Sequence, residues 1–344
     1  MLRELTEING VSGDEGRVRK FVIEKITPLC DEITVDSMGN VIALKKGSGI
    51  SKHKVMVCAH MDEVGFIVSG ITEDGFVKFK PVGGIDKRIL LTQRVVIDNS
   101  GGRVDGVIGI KAVHLQTADE RKKVVPMDSL YIDIGAKDRK DAQKYVAKGD
   151  YISFNSDYVE FGDGCIKAKA LDDRAGCATL IRLMQQSYES DVYFCFNTQE
   201  EVGLRGARIS AHRLGADIAF VLEATTAADI PFVDDYLRCT VQGEGPVISL
   251  LDRASYSDRL INDYVRKIAE SSGIKYQLKR TINGGNDAGA IQTSANAVRT
   301  CAVSLPCRYI HSPVSTVKKS DIEEMYRLMN CVLRQINGFD AEVR

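Results

Sequence analysis

This chain of 344 residues lacks a dominant charge, with 46 Lys and Arg against 47 Asp and Glu and a net charge of -1. Such a balance leaves no electrostatic footprint for nucleic acid or an anionic membrane surface. Long apolar runs are missing too, and none approaches the ~20 residues of a membrane span. The opening stretch MLRELTEING carries Arg3, Glu4 and Glu7 where a signal peptide would need an apolar core. No CxxC pair occurs. The nine cysteines are an odd number, and Cys58, Cys195 and Cys301 lie inside apolar runs. Reduced core thiols are therefore expected, not a disulfide frame or a thiolate metal site, and with them a cytoplasmic location.

What remains is an ordinary globular composition, 44% hydrophobic and 27% charged, long enough for two domains or one large one. The first segment reads as helical. Ser12 precedes Glu15 at capping-box spacing, and Val18, Phe21, Val22 and Ile26 recur at helical intervals. EITVDSMGNVIAL follows as strand, turn and strand, and VMVCAH (55–60) as an apolar strand. From residue 67 to 163 short β-branched runs alternate with turn signals such as EDG, VGG and NSGG. That texture predicts a small β module, a barrel or a sandwich. From about Cys165 the chain returns to α/β. DVYFCFN and ADIAFVLE are continuously apolar, as strands covered on both faces would be. Segment 255–272 is expected to be a helix, and another, capped by Ser320 with Glu323, should end the chain. The predicted organisation is an α/β domain (1–66 and 164–344) interrupted by a β-rich insert (67–163).

Four of the apolar strands run out at metal-type ligands: His60 and Asp62, the pair Glu200 and Glu201, Glu223, and a loop carrying His311. Ligands in open α/β sheets bind beyond the carboxyl ends of the strands, so these four places should converge. ALDDRAG adds Asp172 and Asp173 just before a helix. Each alone has a bland reading. His60 could be a hydrogen-bonded core histidine, Glu200 and Glu201 a solvated loop, Asp172 a helix N-cap, and Glu223 a charge at a strand end. Together, two imidazoles and several carboxylates without a Cys cluster suit a two-metal site.

The motifs SGDEGRVR (12–19), DSMGNVIA (36–43), AHMDEVGF (59–66), ALDDRAG (170–176), NTQEEVGLRGA (197–207), GGNDAGA (284–290) and RYIHSPVS (308–315) resemble the M42 family of co-catalytic metallo-aminopeptidases. The resemblance implies a zinc-peptidase-like α/β domain with a mixed sheet flanked by helices, interrupted by a β-rich dimerisation domain. It implies that His60, Asp172, Glu201, Glu223 and His311 hold two divalent ions, zinc or cobalt with manganese as a further option. In it Asp172 bridges, Glu200 is the general base and Asp62 orients the His60 ring. Short peptides would be the substrates, and dimers assembling to a dodecamer the expected homo-oligomer. Three positions depart from the family pattern: Glu223 stands for Asp, Asn286 for Thr or Ser, and Ser315 for Glu. A metal-dependent carboxypeptidase or deacylase is the nearest competing reading. A two-carboxylate glycosidase would leave His60 and His311 unexplained, and a non-enzymatic assembly protein would leave every catalytic-type position unexplained.

Overall fold

In the computed structural model, which describes residues 1–340, strands Glu32–Val35 and Val41–Lys45 form a hairpin at the edge of an eight-stranded mixed sheet. Inward from that hairpin the order is Val192–Asn197, Val55–His60, Ile218–Thr226, Arg299–Cys307, Val247–Ser249 and Gln277–Leu278. The four central strands, Val192–Asn197 to Arg299–Cys307, are mutually parallel. Their carboxyl ends therefore share one edge.

Alternation along the central strands explains their unbroken hydrophobicity. Val55, Val57 and Ala59 join a core with helices Gly16–Ile26, Leu171–Leu183, Arg259–Ser271 and Lys319–Gln335. Met56 and Cys58 join a second core with Arg205–Leu214 and Ala288–Gln292. Both faces are covered, so both parities are apolar.

Beyond His60 the chain enters a closed antiparallel barrel of six strands, ordered Gly65–Ile71, Val77–Val82, Tyr131–Asp133, Gly102–Gly109, Arg94–Asn99 and Tyr151–Phe154. Entry and exit strands are neighbours, with Phe66 opposite Ile152. Phe66 stacks edge-on against Phe79 and Phe154, with centroids 5.0 and 5.3 Å apart, at the barrel's centre. Gly65 is required at the junction, since a Cβ there would come within 2.4 Å of Val11 and 2.6 Å of the Ile152 carbonyl. Val159–Phe161 lies outside the barrel and pairs with Cys165–Ala168, which in turn pairs with Ser315–Lys318. The last four residues of the predicted α/β domain, 341–344, lie outside the described residues.

Two capping expectations change, and the bland reading of Asp172 as a cap fails as well. Ser12 does not cap helix Gly16–Ile26; its hydroxyl donates to Asp62 instead. Asp172 is not a cap either, because Asp173 accepts the Gly176 N–H at 3.0 Å. The final helix begins at Lys319, and Ser320 makes no cap bond there, while Glu323 pairs with Arg182. For Ser12 and Glu323 a tertiary partner outcompetes the local one, whereas the Asp173 bond to Gly176 is itself local. Among the described residues no helix is long and apolar enough to cross a membrane.

A buried ion cluster ties the N-terminal segment to the sheet edge. Lys169 Nζ lies 2.7 and 2.8 Å from the two Glu63 oxygens. The fully buried Arg174 donates to the carbonyls of Met61 (2.7 Å), Leu5 (2.6 Å) and Ile8 (3.0 Å). Buried cations are tolerated only with this degree of pairing.

Candidate active site and metal centre

Register carries the ligand-type residues to one place. Ile218–Thr226 pairs with Val55–His60 up to Val221 opposite Cys58. Two residues further, Glu223 comes level with His60, and Glu223 Oε1 lies 3.3 Å from His60 Nε2. Asn197 is opposite His60 on the other neighbouring strand, and the turn beyond it presents Glu200 and Glu201. Arg299–Cys307 leads into the loop bearing His311. Asp172 and Asp173 stand out of helical geometry at the start of their helix, joined by a cis peptide bond.

Asp172 is shared. Its Oδ1 lies 3.4 Å from His60 Nε2 and its Oδ2 lies 3.2 Å from His311 Nε2. His311 Nε2 is also 3.2 Å from Glu201 Oε1. Each ring's other nitrogen faces a main-chain carbonyl: His60 Nδ1 meets Asp62 O at 3.0 Å, and His311 Nδ1 meets Gly84 O, at the barrel's rim, at 2.9 Å. These carbonyls take an Nδ1 proton, so in neutral rings the Nε2 lone pairs face carboxylate oxygens. That arrangement is repulsive unless positive charge lies between. The histidines respond accordingly. Burial alone would lower them, but Glu223, Asp172 and Asp62 hold His60 well above its ordinary value. Asp172 and Glu201 likewise overcome burial and raise His311 to about 9.

The carboxylates show the same need. Burial pushes Glu201 and Glu223 up to about 8. Buried Asp172 Oδ1, Asp173 Oδ2, Glu223 Oε2 and Asp287 Oδ1 have no hydrogen-bond partner among the described residues. Two sets of ligand atoms lie within 4.8 Å of one another: His60, Asp173 and Glu223, and His60, Asp172 and Glu201. Unpartnered carboxylate oxygens facing imidazole nitrogens fit divalent cations of the zinc, cobalt or manganese kind. Glu200 belongs to neither set. Its half-buried carboxyl lines the cavity beside the cluster, raised well above its ordinary value by burial.

Asp62 does more than the sequence suggests. Its main-chain carbonyl is nearer to His60 Nδ1 than its carboxylate, which stands 3.4 Å away. That carboxylate accepts from Ser12 Oγ (2.6 Å), Glu200 N (3.0 Å) and Glu201 N (3.1 Å). It thus holds the two glutamates' backbone as well as facing the ring. Glu15 adds to this by accepting from Gln199 N at 3.1 Å.

Sequence reasoning therefore brings its seven candidates to one site but misses several neighbours. Ser12 looked like a cap. Asp173 received no role, although the doubled Asp before a helix was a signal. Asp287, in GGNDAGA, accepts from Asn197 Nδ2 at 2.8 Å, and burial pushes it up to about 6. Of the departures, Asn286 donates to Asp252 at 2.9 Å and Ser315 to the Ala168 carbonyl at 2.8 Å, and neither partner is a ligand-type residue of the cluster.

The chain resembles known aminopeptidases along nearly its whole length. A family model described as M42 glutamyl aminopeptidase matches residues 39–328, and one described as AMPT matches 1–21. A putative aminopeptidase of Acetivibrio thermocellus is 40% identical, over 96% of each chain. The lysyl aminopeptidase of Pyrococcus furiosus is 29% identical, over 99% of this chain and 98% of its own. Among solved structures, an aminopeptidase of Desulfurococcus kamchatkensis superposes with a TM-score of 0.94 at 34% identity, covering 99% of this chain and 97% of that one. The Pyrococcus horikoshii TET1 peptidase, described as able to form a tetrahedron or a large octahedral shell, has a TM-score of 0.86 at 34% identity, covering 96% and 98%.

Proposed function

The chain belongs to the M42 family of aminopeptidases, and from that premise we propose that it removes N-terminal residues from short peptides with two divalent metals and Glu200 as general base. The observation that carries this reading is the shared Asp172, whose two oxygens each face a separate histidine backed by its own glutamate. His60, Glu223 and Asp172 would hold one ion, and His311, Glu201 and Asp172 the other. Ions bound there supply Lewis-acid polarisation of the scissile carbonyl and acidify a water.

The chain's own residues do the rest. Glu200 accepts the attacking water's proton and returns it to the leaving amine. Asp62 holds the Glu200 and Glu201 main chain in place and faces the His60 ring. The substrate's free amine, a cation, is received by the carboxylates around Glu201, which restricts cleavage to the first peptide bond.

Protein stripped with a chelator should be inactive on free-amine aminoacyl anilides and recover on adding zinc, cobalt or manganese. Activity that survives chelation would sink the metal reading. Cleavage confined to N-acylated substrates would favour a deacylase.

Ser12 should matter although it touches no substrate. Ser12→Ala removes the hydroxyl donor to Asp62, and loss of such a supporting partner costs about 10–100-fold in metal affinity or activity. Unchanged metal titration and kcat/KM would show that Asp62 holds its place without it.

The segment 67–163, built around the barrel, is proposed as an inserted dimerisation module. Dimers assembling to a dodecamer are supported by the shell-forming P. horikoshii relative. Light scattering that finds only monomer at micromolar concentration would exclude this.

A further inference from the structure

Glu200 and Glu201 sit on the connection 198–204, between strand Val192–Asn197 and helix Arg205–Leu214. Consecutive main-chain N–H groups of this connection are taken by side-chain oxygens from elsewhere in the chain. Thr198 N donates to Asn40 Oδ1 at 2.8 Å and Gln199 N to Glu15 Oε1 at 3.1 Å. Glu200 N and Glu201 N donate to the two Asp62 oxygens at 3.0 and 3.1 Å. Ionised Glu15 and Asp62 can only accept, whereas an amide also donates. Asn40 uses that second capacity at the far end of the connection, where its Nδ2 donates to the Gly206 carbonyl at 3.1 Å.

Asn40 thus holds both ends of the segment that carries the two glutamates. The ends themselves meet, with Gly206 N donating to Thr198 O at 3.0 Å. The fit is close, since a Cβ on Gly206 would come within 2.3 Å of Asn40 Oδ1 and of Thr198 O. Asn40 is fully buried, and Nδ2 also donates to Asp36 Oδ2 at 2.7 Å. Asp36 Oδ1 in turn accepts the main-chain N–H groups of Met38 and Asn40, at 2.9 and 3.1 Å. The DSMGN turn therefore locks the amide in one orientation. The connection needs such closure because it is strained. Gln199 and Leu204 each have a φ of 56°, and Leu204 gives the following helix no side-chain cap. Left-handed backbone at residues other than glycine persists only where the surroundings over-determine it.

We propose that Asn40 is a positioning residue for Glu200: by clamping both ends of the strained connection it sets how the base reaches into the cavity. The inference rests on the reading of Glu200 as general base given above. Glu201 has a further anchor in the ligand cluster, with His311 Nε2 3.2 Å from its Oε1. Glu200 belongs to no ligand set and projects into the cavity, so its place is set chiefly by the main chain. A loosened clamp should therefore impair proton transfer before it impairs metal binding.

The test uses full-length, zinc-loaded protein and the free-amine anilide that the unaltered chain cleaves fastest. Asn40→Asp is nearly isosteric. It keeps the acceptor for Thr198 N, loses both Nδ2 donors and sets a carboxylate against Asp36 and the Gly206 carbonyl. kcat and kcat/KM should fall together by about 10²-fold, the effect of a group misplaced by about 1 Å, with KM unchanged and both ions still bound. Gly206→Ala disturbs the same contact from the other side and should give the same pattern. The deciding measurement is made in a Glu200→Gln background. There Asn40→Asp should lower kcat no further, since no base is left to position, whereas a merely structural role would lower it equally in both backgrounds.

Unchanged kcat in both single variants, or an equal loss with and without Glu200, overturns the inference and leaves the aminopeptidase reading standing. Loss of an ion from either variant would move the role to Glu201 and overturns it as well. If neither variant folds, the amide is a requirement of the fold, and the assignment to Glu200 fails. Near-normal turnover by Glu200→Gln itself would overturn the base assignment and this inference with it.

Discussion

Glu200→Gln should fold, bind two metals and lose about 10²–10⁴-fold in kcat, the usual worth of a positioned proton-transfer group. The two neighbouring glutamates are not equivalent in the structure. Glu201 Oε1 lies 3.2 Å from His311 Nε2 and belongs to a ligand set. Glu200 belongs to none and presents its carboxyl to the cavity. Both backbones are fixed by Asp62, so the substitution disturbs one side chain and not the turn. Glutamine keeps the size of glutamate but cannot take a proton. The measurement is kcat alongside metal content for the same preparation. Near-normal turnover with both metals bound would mean the roles within the pair are reversed. Lost metal would make Glu200 a ligand.

The second large effect is expected at Glu223, where the family pattern has Asp. Glutamate is one methylene longer, yet register places it level with His60 and its Oε1 comes within 3.3 Å of the ring. The strand runs on past it to Thr226, so no slack in the backbone absorbs the extra length. The side chain absorbs it instead, with Oε1 also accepting the Ala224 N–H at 3.1 Å. The other oxygen, Oε2, is buried and without a partner. Glu223→Ala should therefore leave one tight and one weak metal per chain. The weak site should lose more than the 10–100-fold typical of a supporting residue. Glu223→Asp should retain much of the activity. Calorimetric titration of the apo Glu223→Ala protein distinguishes the cases, and two undiminished binding events would remove Glu223 from the ligand set.

Much of this site is legible in the sequence for a simple reason. A parallel sheet sends its strands' carboxyl ends to one edge, so residues that end apolar runs meet there. His60, Glu223 and the turn bearing Glu200 and Glu201 are placed by that rule. His311 follows the fourth parallel strand. The β-rich texture of 67–163 is visible through its turn spacing, though closure into a barrel depends on pairing between its first and last strands. What escapes is carried by contacts between distant segments. Ser12 and Glu15 have capping spacing, but Ser12 bonds Asp62, 50 residues away. Lys169 and Glu63 are separated by 106 residues, and each alone reads as a surface charge. Local pattern competes poorly with tertiary partners where burial strengthens the latter.

Anomalous scattering from zinc-loaded crystals tests the two-metal reading most directly. It predicts two anomalous peaks per chain, one contacting His60, Glu223 and an oxygen of Asp172, the other contacting His311, Glu201 and the second Asp172 oxygen. A single peak, or a pair that leaves Asp172 unshared, would contradict it.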